Sequence, residues 1–275
     1  MCANTQVSER SSLKLPRIGF GTWMLSAADC AKAVSTAINV GFRHIDTAQM
    51  YMNEEQVGEG IAASKVPRDE LTIATKVSPD SLNYNNVIKT ATASVKKLRL
   101  KMVDLLYVHW PAVTYKPSET LKAFSKLVDD GLVGHIGVAN FTPKLLDEAI
   151  KICDKPIAAN QVEHHIFLQQ QEMRDYLKKR GMYFVAYAPL AHGEAIASPE
   201  LQQIAKMHGA TPSQVALAWI MDHGAIPIPK ATSAKHIKEN FESQNLKLTR
   251  SDIETIKSIK AKKRIFDIPG LAPKW

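Results

Sequence analysis

The chain has 275 residues, of which 45% are hydrophobic and 23% charged, so it can bury the core of one large domain or of two small ones. Its formal net charge is +8, but the basic residues are scattered, which argues against nucleic acid and membrane surfaces as partners. No apolar run approaches the ~18 residues of a membrane span, and the charged pair Glu9-Arg10 argues against a signal peptide.

The cysteines and the lack of linkers predict a single domain in the cytoplasm. Cys2, Cys30 and Cys153 do not have the spacing of a disulfide framework, so we expect reduced thiols in a cytoplasmic protein. No Pro-, Gly- or Ser-rich segment divides the chain. Residues 1–275 are therefore predicted to form one domain, which we expect to be a monomer.

From Arg17 onward, short β-type runs alternate with helical patterns. Ser26 precedes the first helical pattern as a cap, and Gly41 ends it. The predicted strands cover residues 18–22, 42–46, 71–76, 103–109, 136–140, 158–163, 182–187 and 225–228. The predicted helices cover residues 27–40, 54–63, 85–98, 118–128, 145–150, 169–180, 200–207, 212–221, 234–241 and 252–262.

Eight strands that are each followed by a helix, in a chain of this length, predict an α/β protein with a (β/α)8 TIM barrel and extra helices near the C-terminus. An open doubly wound sheet is the alternative. The segment Gly19-Phe20-Gly21-Thr22-Trp23 lacks the third glycine of a dinucleotide-binding turn, which disfavours that alternative.

Polar side chains close most of the predicted strands. In a barrel, the loops after the carboxyl ends of the strands build the site. The residues at these ends are Thr22-Trp23, Asp46 with Tyr51 beyond it, Lys76, His109-Trp110, Asn140, Gln161 and Glu163, Tyr187, and Lys230. An acid, a phenol, an amine and an imidazole on three adjacent loops form a set of groups that can transfer protons.

This set suits the reduction of a carbonyl group. A tyrosine has a pKa near ~10 and is a poor acid unless a cation stabilises its anion; Lys76 at ~4 Å would contribute about 4 kcal/mol at an effective dielectric of ~20. An ionised Asp46 would keep Lys76 charged, and His109 would orient the substrate oxygen. No side chain supplies a hydride to the carbonyl carbon, so the chemistry requires a nicotinamide.

Several motifs together resemble the aldo-keto reductases over nearly the whole chain. They are Gly-Phe-Arg-His-Ile-Asp-Thr-Ala at 41–48, Tyr-Met-Asn-Glu at 51–54, Lys76, Val-His-Trp-Pro at 108–111, Gly-Val-Ala-Asn-Phe at 137–141, Asn-Gln-Val-Glu at 160–163, Tyr-Ala-Pro-Leu at 187–190 and Ile-Pro-Lys at 228–230. The terminal Gly-Leu-Ala-Pro-Lys-Trp resembles the prokaryotic branch that includes 2,5-diketo-D-gluconate reductases.

The resemblance implies a role for each matched position. The catalytic tetrad would be Asp46, Tyr51, Lys76 and His109. A nicotinamide would contact Asn140 and Gln161 through its amide and stack on Tyr187. Lys230 would face the 2′-phosphate of NADPH, with Glu239 and Asn240 near the adenine. The implied cofactor site also includes Asp46, Thr22, Leu190, Ala231, Thr232 and His236.

The chain also departs from the family pattern. Ala139, Ala188 and Ala231 stand where serines are usual, and His236 stands where an arginine is expected near the ribose phosphate. A 2′-phosphate gains most from charged or bidentate donors. We therefore favour NADPH as the cofactor and leave use of NADH open.

The loops around the site are short, which predicts an open site with broad selectivity. Trp23 and Trp110 would form an apolar wall beside Tyr51 and His109. We expect small aldehydes, dicarbonyls or sugar-derived ketones as substrates rather than steroids.

Two other functions would also use some of these residues. A metal-dependent hydrolase could use His44, Asp46, His109 and Glu163 as ligands, but Lys230 at the last strand would repel a cation. The adjacent His164 and His165 point to opposite faces of a strand, so we predict no metal site. A non-catalytic nucleotide-sensing subunit on the same fold stays open, and turnover of NADPH would distinguish it from an enzyme.

Overall fold

The structure is a computed structural model that describes residues 13–275, so Cys2 and the expectations about the N-terminal segment lie outside the described residues. Eight parallel strands pair in chain order to form one sheet. The strands are β1 (Phe20–Gly21), β2 (His44–Asp46), β3 (Thr72–Val77), β4 (Val103–Val108), β5 (Val133–Ala139), β6 (Ile157–Glu163), β7 (Tyr183–Tyr187) and β8 (Ala225–Pro227).

Two backbone hydrogen bonds join the first strand to the last. The amide of Gly19 donates to the carbonyl of Pro227 at 2.9 Å, and the amide of Gly21 donates to the carbonyl of Pro229 at 3.0 Å. A Cβ atom on Gly21 would lie 2.6 Å from the carbonyl oxygen of Ile228, so only glycine allows this approach. The sheet is thus closed, which confirms the predicted (β/α)8 barrel.

Helices follow the strands. They are α1 (Ala27–Val40), α2 (Glu54–Ala63), α3 (Tyr84–Lys97), α4 (Pro117–Asp129), α5 (Pro143–Ile152), α6 (Gln171–Lys179), α7 (Pro199–His208), α8 (Pro212–Asp222), α9 (Ala234–Glu242) and α10 (Arg250–Lys257). The predicted bounds of α1 and α2 are confirmed. Ser26 caps α1 by accepting the amide of Asp29, and Gly41 ends it with φ 130°.

The barrel is filled from its amino-terminal end. Alternate strand residues such as Leu105, Tyr107 and Val185 form a buried cluster of their own, as expected for inward-facing positions. Leu13 and Leu15 pack against this cluster, and the Tyr183 hydroxyl donates to the carbonyl of Leu13 at 2.9 Å. The segment with Leu13 and Leu15 thus covers the amino-terminal end of the barrel, and the carboxyl ends of the strands lie at the opposite end.

Several bounds differ from the sequence prediction, and three elements show why. The first strand has two residues instead of five, because only Phe20 and Gly21 pair with β2. β5 begins at Val133, three residues earlier than predicted, since Val133 pairs with Val103. The prediction of a last helix over 252–262 was wrong at both ends: Thr249 caps α10 in a capping box with Asp252, and the helix ends at Lys257.

Both cysteines in the described part of the chain, Cys30 and Cys153, are free thiols. Burial raises the pKa of Cys30 to about 12, which keeps this thiol protonated. None of the helices formed by residues 13–275 has both the length and the apolarity needed to cross a membrane.

Candidate active site

Tyr51 lies on a braced turn directly after β2. Residues Gln49–Tyr51 form a single 3₁₀ turn, which Met52 ends in a left-handed conformation with φ 56°. Asn53 fixes the turn because its side chain donates to the carbonyl of Thr22 at 2.9 Å and accepts the hydroxyl of Thr47 at 2.9 Å. The phenol therefore stands in one place relative to the end of β2.

The Lys76 side chain, at the end of β3, is completely buried, and its ammonium group reaches three acceptors. It forms an ion pair with Asp46. It also donates to the carbonyl of Thr47 at 2.9 Å and lies 3.3 Å from the hydroxyl of Tyr51. The other carboxylate oxygen of Asp46 accepts the side-chain amide of Gln161 at 2.8 Å. Both groups of the ion pair are thus hydrogen-bonded as well as paired.

Burial controls the protonation of the site. Burial, and next the Asp46 carboxylate, raise the pKa of Tyr51 well above 10, so the phenol holds its proton at neutral pH. Burial also lowers the pKa of Lys76, while the ion pair and hydrogen bond with Asp46 oppose that change. We expected Lys76, held by Asp46, to stabilise the Tyr51 anion; in this structure burial has the largest effect on the pKa of Tyr51.

His109 follows β4, and its ring meets that of Tyr51 edge to face with centroids 5.7 Å apart. Burial, and next the Lys76 cation, hold the pKa of His109 well below 6.5, so its imidazole is neutral at pH 7. Its buried Nδ1 atom has no hydrogen-bond partner within residues 13–275. A neutral imidazole beside a protonated phenol can bind a carbonyl oxygen without repelling the nearby ammonium group.

Asn140 and Tyr187 meet beside these groups. The Tyr187 hydroxyl donates to the Asn140 side-chain oxygen at 2.8 Å, and the Asn140 side-chain amide donates to the carbonyl of His109 at 3.0 Å. With Gln161, they present an aromatic ring and two carboxamides at one end of the barrel. This donor and acceptor set fits a nicotinamide ring and its amide.

A cavity of about 560 Å³ opens at the carboxyl ends of the strands. Eleven of the predicted site residues line it: Thr22, Trp23, Asp46, Tyr51, His109, Trp110, Asn140, Gln161, Tyr187, Leu190 and Lys230. Lys76 lies beneath the cavity against Asp46 and Tyr51. The structure therefore brings together all four residues of the predicted tetrad and both predicted tryptophans.

The remaining predicted cofactor residues do not line this cavity. Ala231 is buried after β8, while Thr232 and His236 are exposed at the start of α9. Further along α9, Glu239 pairs with Lys235 at 3.9 Å and Asn240 is buried. These residues follow Lys230 along the chain and are not part of the cavity lining.

Sequence reasoning missed a second set of cavity residues. They are Met24 and Met50 near the first two strands, His192 after β7, and Phe266, Ile268 and Leu271 in the C-terminal segment. The ring of Phe266 lies 5.4 Å from Trp23, 5.3 Å from Tyr187 and 5.1 Å from His192. The only feature of the sequence that could have indicated them is the aromatic residue Phe266, in a segment without a helix or strand pattern.

The geometry disfavours the metal-dependent alternative. Glu163 accepts two backbone amides and the ring of His165, so three donors already occupy its carboxylate. His164 bonds instead to His223 at 2.8 Å. No group of three or more His, Cys, Asp or Glu side chains within residues 13–275 could hold a metal ion.

The closed barrel with polar groups at the carboxyl ends of its strands defines a class of α/β enzyme folds, and the comparison with known proteins identifies the family. Residues 17–261 match the Aldo/keto reductase family, and the chain belongs to that family. Carbonyl reduction is the chemistry that the named relatives support.

Two relatives and one solved structure illustrate the similarity. Methylglyoxal reductase DkgB of Escherichia coli O157:H7 is 37% identical over 266 residues, 96% of this chain and 100% of that protein. The 9,11-endoperoxide prostaglandin H2 reductase of Trypanosoma cruzi is 38% identical over 272 residues, 98% and 96% of the two chains. The crystal structure of a "putative 2,5-diketo-D-gluconic acid reductase B" superposes with a TM-score of 0.91 at 36% identity, covering 95% and 94% of the two chains.

Proposed function

We propose that this protein is an NADPH-dependent reductase that converts small aldehydes, dicarbonyls and keto-sugars to alcohols, with Tyr51 as the proton donor. One observation supports this above all. A protonated phenol, Tyr51, lies 3.3 Å from the ammonium group of a buried lysine that is itself held by Asp46, at a cavity wall shared with His109.

The chain's own residues would handle the proton. A bound reduced nicotinamide would supply the hydride to the carbonyl carbon. Tyr51 gives its proton to the carbonyl oxygen as negative charge develops there. Lys76 stabilises the phenolate that remains. Its positive charge thereby opposes the destabilising effect of burial on that anion. Asp46 keeps Lys76 charged and directed, and the neutral His109 orients the substrate oxygen.

The cofactor would lie across the cavity. Tyr187 would stack on the nicotinamide, and Asn140 and Gln161 would contact its amide. Thr22 and Leu190, which line the same cavity, would flank it. Lys230 at the rim would face the 2′-phosphate. The neighbouring residues outside the cavity would hold the adenosine end: Ala231, Thr232, His236, Glu239 and Asn240.

The proposed substrate class rests on the cavity wall and on the relatives. Trp23 and Trp110 both line the cavity, and Trp23 is 38% exposed, so they could form the apolar wall predicted from sequence. One relative is named for methylglyoxal, and the structural relative is named for 2,5-diketo-D-gluconic acid. Both names refer to small dicarbonyl compounds, which favours this class for the present chain.

Replacing the proton donor tests the proposal. The substitution Tyr51→Phe removes the hydroxyl and keeps the ring, so we expect kcat for methylglyoxal with NADPH to fall about 1000-fold. The Kd for NADPH, measured by fluorescence titration, should be unchanged because Tyr51 contacts the substrate oxygen. Retained turnover would refute the role of Tyr51. A wild-type protein that binds NADPH and reduces none of a panel of aldehydes, dicarbonyls and keto-sugars would indicate a nucleotide-sensing subunit.

We further propose that residues 1–275 form a single domain and that the protein is a monomer in the cytoplasm. Size-exclusion chromatography with light scattering tests the oligomeric state, and a mass near 30.4 kDa is the expected result.

A further inference from the structure

Glu163, the last residue of β6, holds a distant part of the chain. Its side chain is fully buried, yet it does not line the cavity. One carboxylate oxygen accepts the backbone amide of Ile265 at 2.7 Å, and the other accepts that of Phe266 at 2.8 Å. These partners lie 102 and 103 residues further along the chain.

His165 supplies a third donor to the same carboxylate. Its Nε2 atom lies 2.8 Å from Glu163, and its Nδ1 atom accepts the backbone amide of Phe167 at 3.3 Å. Because Nδ1 accepts, the proton of a neutral ring is on Nε2, which donates to Glu163. Three N–H groups therefore surround the buried carboxylate, and two of them belong to the C-terminal segment.

That segment forms part of the cavity. Residues 265–271, here called the C-terminal wall, contribute Phe266, Ile268 and Leu271 to the cavity lining. Phe266 contacts the rings of Trp23 and Tyr187. Since the amide of Phe266 is bonded to Glu163, the carboxylate determines where this ring stands relative to both.

The wall also has apolar links to the barrel, because Ile265 packs against the hydrophobic core and Phe266 against three rings. Among the described residues, Lys263 supplies further polar links. Just before the wall, Lys263 donates its backbone amide to the carbonyl of Phe167 at 3.0 Å. Its side chain pairs with Glu194 at 2.6 Å, but both side chains are half exposed. Exposed ion pairs contribute little to stability, whereas hydrogen bonds to a buried carboxylate are strong. Glu163 is thus the main polar anchor of the wall.

We infer that Glu163 is a positioning residue that fixes the C-terminal wall over the cavity and thereby sets the affinity for carbonyl substrates large enough to reach that wall. It does not touch the reacting atoms. A substrate of a few atoms, such as methylglyoxal, contacts Tyr51 and His109 without needing the wall. A bulky aromatic aldehyde packs against Phe266 and Leu271. The kinetic part of this inference depends on the proposed reductase function.

Glu163→Gln tests the anchor at constant volume. The carboxamide has one acceptor oxygen, and its NH2 group takes the place of the other. That NH2 group must face at least one of the three N–H groups that now donate to Glu163, so at least one of these hydrogen bonds is lost. Amide hydrogen exchange in a peptide covering residues 265 and 266 should become at least about tenfold faster. A buried hydrogen bond to a charged group disfavours the opening of the amide by about that factor, and this bond is lost. Glu194→Gln is the matched control and should leave this exchange unchanged.

Steady-state kinetics give the second readout. For Glu163→Gln we expect KM for 4-nitrobenzaldehyde to rise about tenfold. KM for methylglyoxal and both kcat values should change by less than about threefold, because the proton-transfer groups are untouched. Glu194→Gln should match the wild type. A merely structural role would instead alter both substrates alike.

Several results would overturn the inference. Unchanged exchange at residues 265 and 266 in Glu163→Gln would show that the carboxylate is not the anchor. Equal rises in KM for both substrates would show that the wall does not discriminate by size. If Glu163→Gln does not fold, Glu163→Asp replaces it, since the shorter carboxylate should give intermediate exchange. The exchange measurement needs no turnover, so it decides the anchor even if the proposed reductase function fails.

Discussion

Lys76 shows how a single residue depends on its neighbours. A lysine ammonium group has three protons, and here each one has an acceptor: the Asp46 carboxylate, the Thr47 carbonyl and the Tyr51 hydroxyl. Both charged side chains are about 1% exposed. Removing one charge would leave the other buried and unpaired, so the ion pair should affect both stability and chemistry.

The substitution Asp46→Asn tests this dependence. We expect the free energy of unfolding to fall by about 3–5 kcal/mol, because a buried lysine loses its counter-charge. We also expect kcat to fall about 100-fold, since a lysine that burial discharges no longer stabilises the Tyr51 phenolate. Urea unfolding and initial rates with methylglyoxal measure the two effects.

The double variant Asp46→Asn/Lys76→Met provides the control for that experiment. It removes both charges, so part of the lost stability should return while kcat stays low. If kcat returned along with stability, the ion pair would have only a structural role.

Lys230 and His236 carry the prediction about the cofactor. Lys230 is exposed at the cavity rim, and His236 is exposed on α9. We expect Lys230→Ala to raise the Kd for NADPH about tenfold, because a charged contact to the 2′-phosphate is lost, and to leave the Kd for NADH unchanged. His236→Arg should lower the Kd for NADPH and leave the Kd for NADH unchanged, since a guanidinium group can bind phosphate through two hydrogen bonds. Equal changes for both cofactors, measured by fluorescence titration, would place the 2′-phosphate elsewhere.

Eleven of the cavity residues could be predicted from the sequence, but none of those in the C-terminal wall. The tetrad and the two tryptophans could be predicted because each lies at or just after a strand end. Phe266 follows no helix or strand pattern, and its position depends on a bond to Glu163 from 103 residues away. Single-sequence patterns report neighbours along the chain and not such distant contacts.

At the scale of elements, the barrel depends on its shortest strand. β1 has two residues, and Gly21 within it and Gly19 just before it allow a close approach to the end of β8, with backbone hydrogen bonds. In the sequence, Gly19 and Gly21 stand out only as an incomplete dinucleotide-binding motif. Their role in closure could not be predicted, because it depends on which strand lies opposite.

We expect Gly21→Ala to weaken this closure. The new Cβ atom would lie 2.6 Å from the carbonyl oxygen of Ile228, so the two strands must separate and their hydrogen bonds lengthen. The loss in unfolding free energy should be about 3 kcal/mol, measured by urea unfolding.

Gly209→Ala separates this steric effect from backbone strain. Gly209 ends α7 with φ 61°, and a Cβ atom there would meet nothing within 4 Å. Its replacement should cost only about 1 kcal/mol, because only the left-handed conformation is penalised. Equal losses for the two variants would mean that the approach of β1 to β8 is not tight.

At the scale of the whole molecule, buried histidines connect stability to pH. Burial lowers the pKa of His44 to about 4, that of His164 to about 3 and that of His223 to about 2. In the unfolded chain these rings titrate near ~6.5. Between that value and their folded-state values, the unfolded chain binds more protons than the folded one, so the folded state loses stability as the pH falls.

We therefore expect the unfolding free energy to be nearly constant between about pH 7 and 8 and to decline steadily below about pH 6.5. The fully buried His44 and His164 should each contribute about 1.4 kcal/mol per pH unit between pH 6 and 5. Urea unfolding at pH 7, 6 and 5 measures the slope. His164→Phe should reduce that slope by the contribution of one histidine, even if the variant is less stable at every pH. The control His236→Gln, at an exposed position, should leave the slope unchanged. Equal slopes in wild type and His164→Phe would show that this ring is protonated in the folded state, contrary to its burial against Phe184 and Trp219.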